Sequence, residues 1–392
     1  MSKVLLIAPV PTHPSTTGAS ARVRHMADGL LSLGHEVHFL YLQQSLRAAD
    51  TPMRQYWKER LHPFRSLSPA SFLGRGRRKL VRLVGKAFHL NLPVDSYFDP
   101  EAAGYLGTLL ARGFEVAILS YVFYSKLFEF APDSVRKLLD THDVFSDRYR
   151  LYRAHGQANE FFSTGKAEEA KALDRADAVL AIQEWDASHF RSLTTRTVTV
   201  VGHLAPVVEA APVAAGDCAR AMLFVGGPMG INVHGVTWFI DRVLPAVRRR
   251  VPEAELWLVG GIGKRIRSDS PGVRRFGFVD SLGDLYRQAA VVINPQQFGT
   301  GLSIKSVDAL QHGRPLVTTV SGARGLEEGA ESCFRQAGSA EEFSELLIEL
   351  LRDPEQAAAL GRRATDFARR YYQRNLQALA DVVAASPRSP TQ

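Results

Sequence analysis

Two stretches of the sequence combine residue types that could do chemistry. The first runs Phe298-Gly299-Thr300-Gly301-Leu302-Ser303-Ile304-Lys305-Ser306-Val307-Asp308. An apolar strand is expected to end near Asn294-Pro295, and a helix to open at about Ser303. Glycines in the loop between them let backbone approach a ligand closely. The free N–H groups of a first helical turn bind an anion. Lys305 falls within that turn, where a cation opposes the helix dipole and is a poor choice for stability alone. A phosphate lying between the helix start and the ammonium removes the conflict. Asp308 lies three residues on, one turn away, so both side chains can face one ligand. A carboxylate there can accept hydrogen bonds from two vicinal hydroxyls, as on a ribose. A solvent-facing lysine is the plainer alternative. The second stretch is Asp140-Thr141-His142-Asp143, a polar cluster behind the apolar run 135–139.

These residues need elements to hold them. In the first half, apolar runs recur at 3–9, 36–42, 115–119, 136–140 and 177–182, with amphipathic segments at 19–33, about 101–112 and 159–175. Such alternation predicts a parallel sheet covered by helices on both faces. Residues 206–219, with two prolines and small side chains, follow neither period and read as a linker. A second series has strands at 222–225, 256–259, 291–293 and 316–317 and helices at 236–249, 281–289, 303–312 and 340–352. About 355–385 reads as long helix and 386–392 as a frayed tail. The expected class is α/β, with two Rossmann-like domains facing across a deep cleft. The expected domains are 1–205 and 220–365, with a helix 366–385 packing back on the first. Ligands of such sheets sit beyond the carboxyl ends of the strands. Two facing edges hold one substrate on each wall, and closure excludes water from a group transfer.

Bulk properties agree with a soluble globular protein. The 392 residues exceed what one hydrophobic core organises, and 45% are hydrophobic against 22% charged. Cys218 and Cys333 form neither a CxxC pair nor a disulfide framework, which fits a reducing cytoplasm. The opening apolar run Val4 to Ala8 is too short for a signal sequence and is stopped by Pro9. The net charge of +8 is concentrated at 54–86, which holds ten lysines and arginines against Glu59 alone, interleaved with apolar residues such as Trp57 and Phe64. That segment suits contact with an anionic membrane surface or a solvated face, and a nucleic-acid partner is not expected.

The stretch from Phe298 to Val317 resembles the donor-binding motif of the group 1, retaining glycosyltransferases of the GT-B fold. Lys305, Asp308, Ala309, Gly313, Pro315, Leu316 and Val317 fall on its pattern. The resemblance implies that Lys305 contacts the donor diphosphate and Asp308 the ribose hydroxyls. Gly226-Gly227-Pro228 followed by Asn232, Leu258-Val259-Gly260-Gly261, and Gly277-Phe278-Val279-Asp280 resemble successive pieces of the same domain. Phe278 and Val279 are implied beside the nucleotide base, and Gly226, Gly227, Asn232, Thr300, Gly301 and Leu302 around the donor. The loop Pro11 to Ala19 resembles the family's first glycine-bearing loop, with Gly18 near the donor sugar; Ser15 or Thr17 could equally be a helix cap. A histidine at the place of His142 contacts the transferred sugar in the family, and Asp143 would orient its imidazole or an acceptor hydroxyl.

This chain departs from the family in places. Asp308 and Thr300 stand where glutamates are usual, and Ser303 where a subgroup has arginine. Residues 227–234 lack the arginine that pairs with the lysine in many relatives. Lys264 or Arg265, or Arg22 or Arg24, are the candidates for a second phosphate-neutralising cation. No Asp-x-Asp motif and no metal-spaced cluster is present, so neither metal nor cofactor is expected. The donor expected is a UDP- or GDP-sugar. The acceptor is a glycan, a lipid-linked glycan or a metabolite, reached from the cytoplasm or the inner membrane face. A dinucleotide-dependent dehydrogenase is disfavoured, because the loop Pro9 to Gly18 lacks the GxGxxG spacing. A nucleotide-sugar epimerase and a non-catalytic sugar-nucleotide-binding protein remain as alternatives.

Overall fold

The computed structural model describes residues 1–43, 50–65, 76, 83, 91–209, 219–267, 270–279 and 281–385. Most of the basic segment beyond 65, the linker core 210–218, Asp280 and the tail 386–392 lie outside the described residues. Contacts divide the chain into two compact units. One comprises Met1–Leu204 with Asn375–Gln392, the other Ala205–Arg374.

The first unit is a seven-stranded parallel sheet, ordered β3-β2-β1-β4-β5-β6-β7. Its strands are β1 (Lys3–Ala8), β2 (Glu36–Leu42), β3 (Leu61–Phe64), β4 (Val116–Ser120), β5 (Arg136–Asp140), β6 (Ala178–Ala181) and β7 (Thr197–Val200). Helices α1 (Gly18–Ser32), α2 (Asp50–Trp57), α3 (Pro100–Leu110), α4 (Arg148–Ala154), α5 (Lys166–Leu173) and α6 (Glu184–Arg191) connect them. Central strands are apolar without alternation: Val4 to Ala8 and all of β4 are buried, as strands covered on both faces must be. The edge strand β3 arises inside the basic segment and was not expected as a strand. Its Pro63 is tolerated because an edge need not supply every ladder donor.

The second unit is a six-stranded parallel sheet, ordered β10-β9-β8-β11-β12-β13. It contains β8 (Ala219–Val225), β9 (Glu255–Val259), β10 (Val273–Gly277), β11 (Ala289–Asn294), β12 (Leu316–Thr319) and β13 (Arg335–Ala337). Its helices are α7 (Gly230–Arg242), α8 (Leu244–Arg250), α9 (Leu282–Gln288), α10 (Ile304–Gln311), α11 (Ala340–Arg352) and α12 (Pro354–Ala384). The helix expected over 236–249 is thus two, because Pro245 starts a new helix at its second position. The last part of α12 belongs to the first unit: Asn375 Oδ1 accepts the Gly202 N–H at 2.6 Å, and Gly29 of α1 faces Leu376 and Leu379.

Chain order reverses once in each sheet, between β1 and β4 and between β8 and β11. In doubly wound sheets bound groups lie at such reversals, beyond the carboxyl ends. The segments so placed are Pro9–Thr17 and those after β4 and β5 in one unit, and Gly226–Met229 and Pro295–Ser303 in the other.

Candidate functional site

In the second unit the loop after β11 is shaped by its glycines. Gly299 has φ +151° and Gly301 φ +74°, which side chains rarely adopt. A Cβ at Gly299 would also meet Gln296 Nε2 at 2.5 Å and Ile231 Cδ1 at 3.0 Å, so the loop lies against the first turn of α7. Buried Asn294 ties the loop to α10 by donating from Nδ2 to Ser303 Oγ and Ser306 Oγ, both at 2.8 Å. Ser303 occupies the N-cap of α10, but its hydroxyl makes no capping bond to the helix. The first turn therefore keeps backbone donors and the positive end of the dipole for something else.

Lys305 and Asp308 stand on that helix as its spacing predicts. Lys305 is half-buried, with Nζ 3.4 Å from Gln296 Oε1 and 5.7 Å from the centre of the Phe224 ring. Burial pushes its ammonium down to about 8, although Asp308 opposes this. Burial likewise raises the Asp308 carboxyl to about 7, against the pull of Lys305. Asp308 Oδ1 accepts from Gln311 at 3.3 Å. The buried Tyr286 ring stacks on His312 at 4.1 Å, and burial and the nearby Asp308 raise its phenol well above the ordinary value.

The loop after β8 completes this edge of the sheet. Asn232 Nδ2 donates to Gly227 O at 3.0 Å, so its amide steadies the loop. A Cβ at Gly226 would meet the Phe224 ring at 2.7 Å, whereas one at Gly227 would meet open space. Thr300 is half-exposed and Leu302 is buried. Phe278 is 68% exposed after β10, with Val279 half-buried beside it. Of the suggested second cations, Lys264 and Arg265 are exposed, and Arg265 lines a notch with Thr237, Ile240 and Asp241 on the flank of α7.

Arg22 does not serve as a mobile cation. It is buried, with Nε 3.0 and 3.1 Å from the Asp140 oxygens, and it also donates to the carbonyls of Val201 and Gly202. Burial alone would raise the Asp140 carboxyl, but Arg22 and His142 hold it well below the carboxylate range. The carboxylate against His142 is this Asp140, with Nε2 3.0 Å from Oδ2, not Asp143. Asp143 instead forms an ion pair with buried Arg148, which also donates to Tyr152 Oη at 2.8 Å. His142 has φ +64° and its ring stacks on Tyr121 at 4.1 Å. His142 Nε2 lies near Asp140 without a well-directed hydrogen bond among the described residues. Arg24 pairs with Asp28 at 3.6 Å along α1. Gly18 opens α1 and is exposed; the cap is Thr17, which accepts from Ser20 N. Trp57 and Met53 of α2 fix the preceding loop, the indole donating to Thr12 Oγ1 at 2.7 Å.

Residues 219–353 match the family profile described as glycosyl transferases group 1. The matched stretch lies within the second unit. The match covers the whole Lys305–Asp308 region and the loops after β8 and β11. Over its full length the chain is similar to solved structures of glycosyltransferases. Sucrose-phosphate synthase from Thermosynechococcus elongatus shares 15% identity with a TM-score of 0.71, covering 97% of this chain and 98% of that one. HepE from Anabaena, solved with UDP and glucose, shares 12% at a TM-score of 0.64, covering 98% and 100%. A mutant of S. aureus TarM, solved with Fondaparinux, alpha-GlcNAc-glycerol and UDP, shares 8% at 0.70, covering 98% and 100%. At these identities the likeness concerns the fold, the GT-B architecture of paired Rossmann-like domains. No curated protein sequence matches significantly. Among the described residues no cluster of His, Cys, Asp and Glu could hold a metal ion, and no helix is long and apolar enough to cross a membrane.

Proposed function

We propose that the chain is a retaining, metal-independent glycosyltransferase that moves a sugar from a nucleoside diphosphate donor to a carbohydrate, lipid-linked or metabolite acceptor. One observation carries the reading. An ammonium and a carboxylate one turn apart, both half-buried, stand at the start of a helix whose cap residue leaves the first turn uncapped. Such a helix start receives a phosphate. Lys305 then neutralises the leaving diphosphate, and Asp308 accepts from the ribose hydroxyls. Gly226, Gly227, Gly301 and Leu302 line the donor with backbone, and Phe278 and Val279 flank the base. The complexes of HepE with UDP and UDP-glucose make UDP-glucose the first donor to try.

His142 contacts the transferred sugar, and Asp140, with Oδ2 3.0 Å from its Nε2, is the carboxylate beside the imidazole. Retention follows from front-face attack on an oxocarbenium-like centre, with a donor phosphate oxygen taking the acceptor proton as the glycosidic bond to the diphosphate breaks. Helix dipole and basic side chains replace a divalent cation. The protein works at the cytoplasmic side, in solution or against a membrane surface.

The reading is tested by calorimetric titration of UDP, GDP and dTDP and their glucose conjugates into wild-type protein and Lys305→Ala. One diphosphate series binds the wild type; Lys305→Ala loses that binding while its Tm stays nearly unchanged. Undiminished binding by the variant would reject the site.

A further inference from the structure

A departing diphosphate carries more negative charge than one ammonium neutralises. Bound groups in an open α/β sheet lie beyond the carboxyl ends of the strands. A second cation from this unit should therefore come from the segments that follow β8 to β13. Residues 226–229, 278–281, 295–303 and 338–339 contain neither lysine nor arginine. That leaves Lys264, Arg265 and Arg267 after β9, and Arg324 after β12. Arg265 and Arg267 line the notch on the flank of α7, well past its first turn. Lys264 is exposed on the same short turn.

Arg324 is placed differently. It is half-buried, and its Nη1 donates to Gly299 O at 2.8 Å, in the loop that leads into α10. The segment before it is tied to the first turn of the same helix, because Ser306 Oγ donates to Gly322 O at 2.8 Å. Asn294, at the end of β11, bonds Ser303 and Ser306 from the other side. Arg324 and Lys305 are thus carried by two segments joined to each other around one glycine loop. In the same segment the Ser321 hydroxyl is buried and without a hydrogen-bond partner among the described residues.

We infer that Arg324 is the second cation of the diphosphate site. With Lys305 it brackets the phosphates at the start of α10, its planar guanidinium donating N–H to a phosphate oxygen while holding Gly299 in place. The inference rests on the reading of this site as a nucleoside diphosphate site. It also accounts for the lack of an arginine after β8: the charge comes from a different strand end of the same sheet.

The test compares UDP and GDP with UMP and GMP by calorimetric titration, using wild type, Arg324→Gln and Arg324→Lys. Glutamine keeps an N–H for Gly299 O but removes the charge. Arg324→Gln should weaken the diphosphate by about 10- to 100-fold, the range of a charge-assisted hydrogen bond. The matching monophosphate should lose less than about threefold, and Arg324→Lys should recover most of the difference, since it restores the charge. Equal losses for di- and monophosphate would mean that the side chain only holds the loop, and would overturn the inference. So would unchanged diphosphate binding in Arg324→Gln. If the wild type binds neither diphosphate, the reading of the site falls and the inference with it, which is distinguishable from failure of Arg324 alone.

Discussion

At the residue scale, the site pairs two groups whose protonation is set by burial. Asp308 is raised from 3.8 to about 7 and Lys305 lowered from 10.5 to about 8. In the proposed site, donor binding needs the carboxylate and the ammonium together. Affinity for UDP or GDP should therefore be greatest between about pH 7 and 8. It should fall on the acid side as Asp308 takes up a proton and on the alkaline side as Lys305 loses one. The empty fold responds in the opposite sense. A raised carboxyl costs stability as pH rises from 3.8 towards 7, and a lowered ammonium returns stability as pH rises from 8 towards 10.5. Titrations across this range check both limbs; a flat profile would separate these groups from the ligand. The buried pair Arg22–Asp140 makes a second residue-scale expectation. Asp140→Ala leaves the guanidinium buried without its carboxylate and should cost about 3–5 kcal/mol in urea unfolding. A cost under about 1 kcal/mol would show that water reaches the pair.

At the scale of elements, the glycine loop, the start of α10 and the turn after β12 behave as one piece. Gly322 is where they meet. A Cβ there would collide with Thr318 Oγ1 and would lie 2.5 Å from Asn294 Nδ2, the group that bonds Ser303 and Ser306. Gly322→Ala should destabilise the protein by about 1–3 kcal/mol, as overpacking does, and weaken donor binding as well, because Asn294 must move. Stability loss with intact binding would show that Asn294 does not position the helix start. The helix pattern of 304–311, its lysine and its carboxylate were legible in the sequence, because they depend on residues three and four apart. The partnership of Asn294 with Gly322 was not, since nothing local in either residue marks the other. That Asp140, not Asp143, stands beside the imidazole was not legible for the same reason. Asp143 is adjacent to His142 in sequence, but the turn with φ +64° at His142 sends Asp143 to Arg148 and leaves the imidazole to Asp140.

At the scale of the whole molecule, the final helix is shared between units. Leu379, Val382 and Val383 are buried in the first unit, beyond the point where α12 leaves the second. Ending the chain at Arg374 removes these side chains, each contributing about 1.5–3 kcal/mol, together with the Asn375 bond to Gly202. The unfolding transition of the first unit should fall by on the order of 10 °C in scanning calorimetry, while nucleotide binding by the second unit persists. An unmoved transition would show that the helix end adds nothing to the first unit.

From the sequence by itself came the two α/β series, the class of the fold, and the Lys305–Asp308 helix with its glycine loop. Each of these is written in periods of two to four residues or in contiguous apolar runs, which local backbone geometry enforces. Only the tertiary structure decided which carboxylate meets His142, that Arg22 is locked rather than available, and that Arg324 reaches the loop at Gly299. These pairings join residues separated by 2, 118 and 25 positions across sheet ends. Strand order and turn conformation bring such residues together, and neither is encoded in the spacing of the residues themselves.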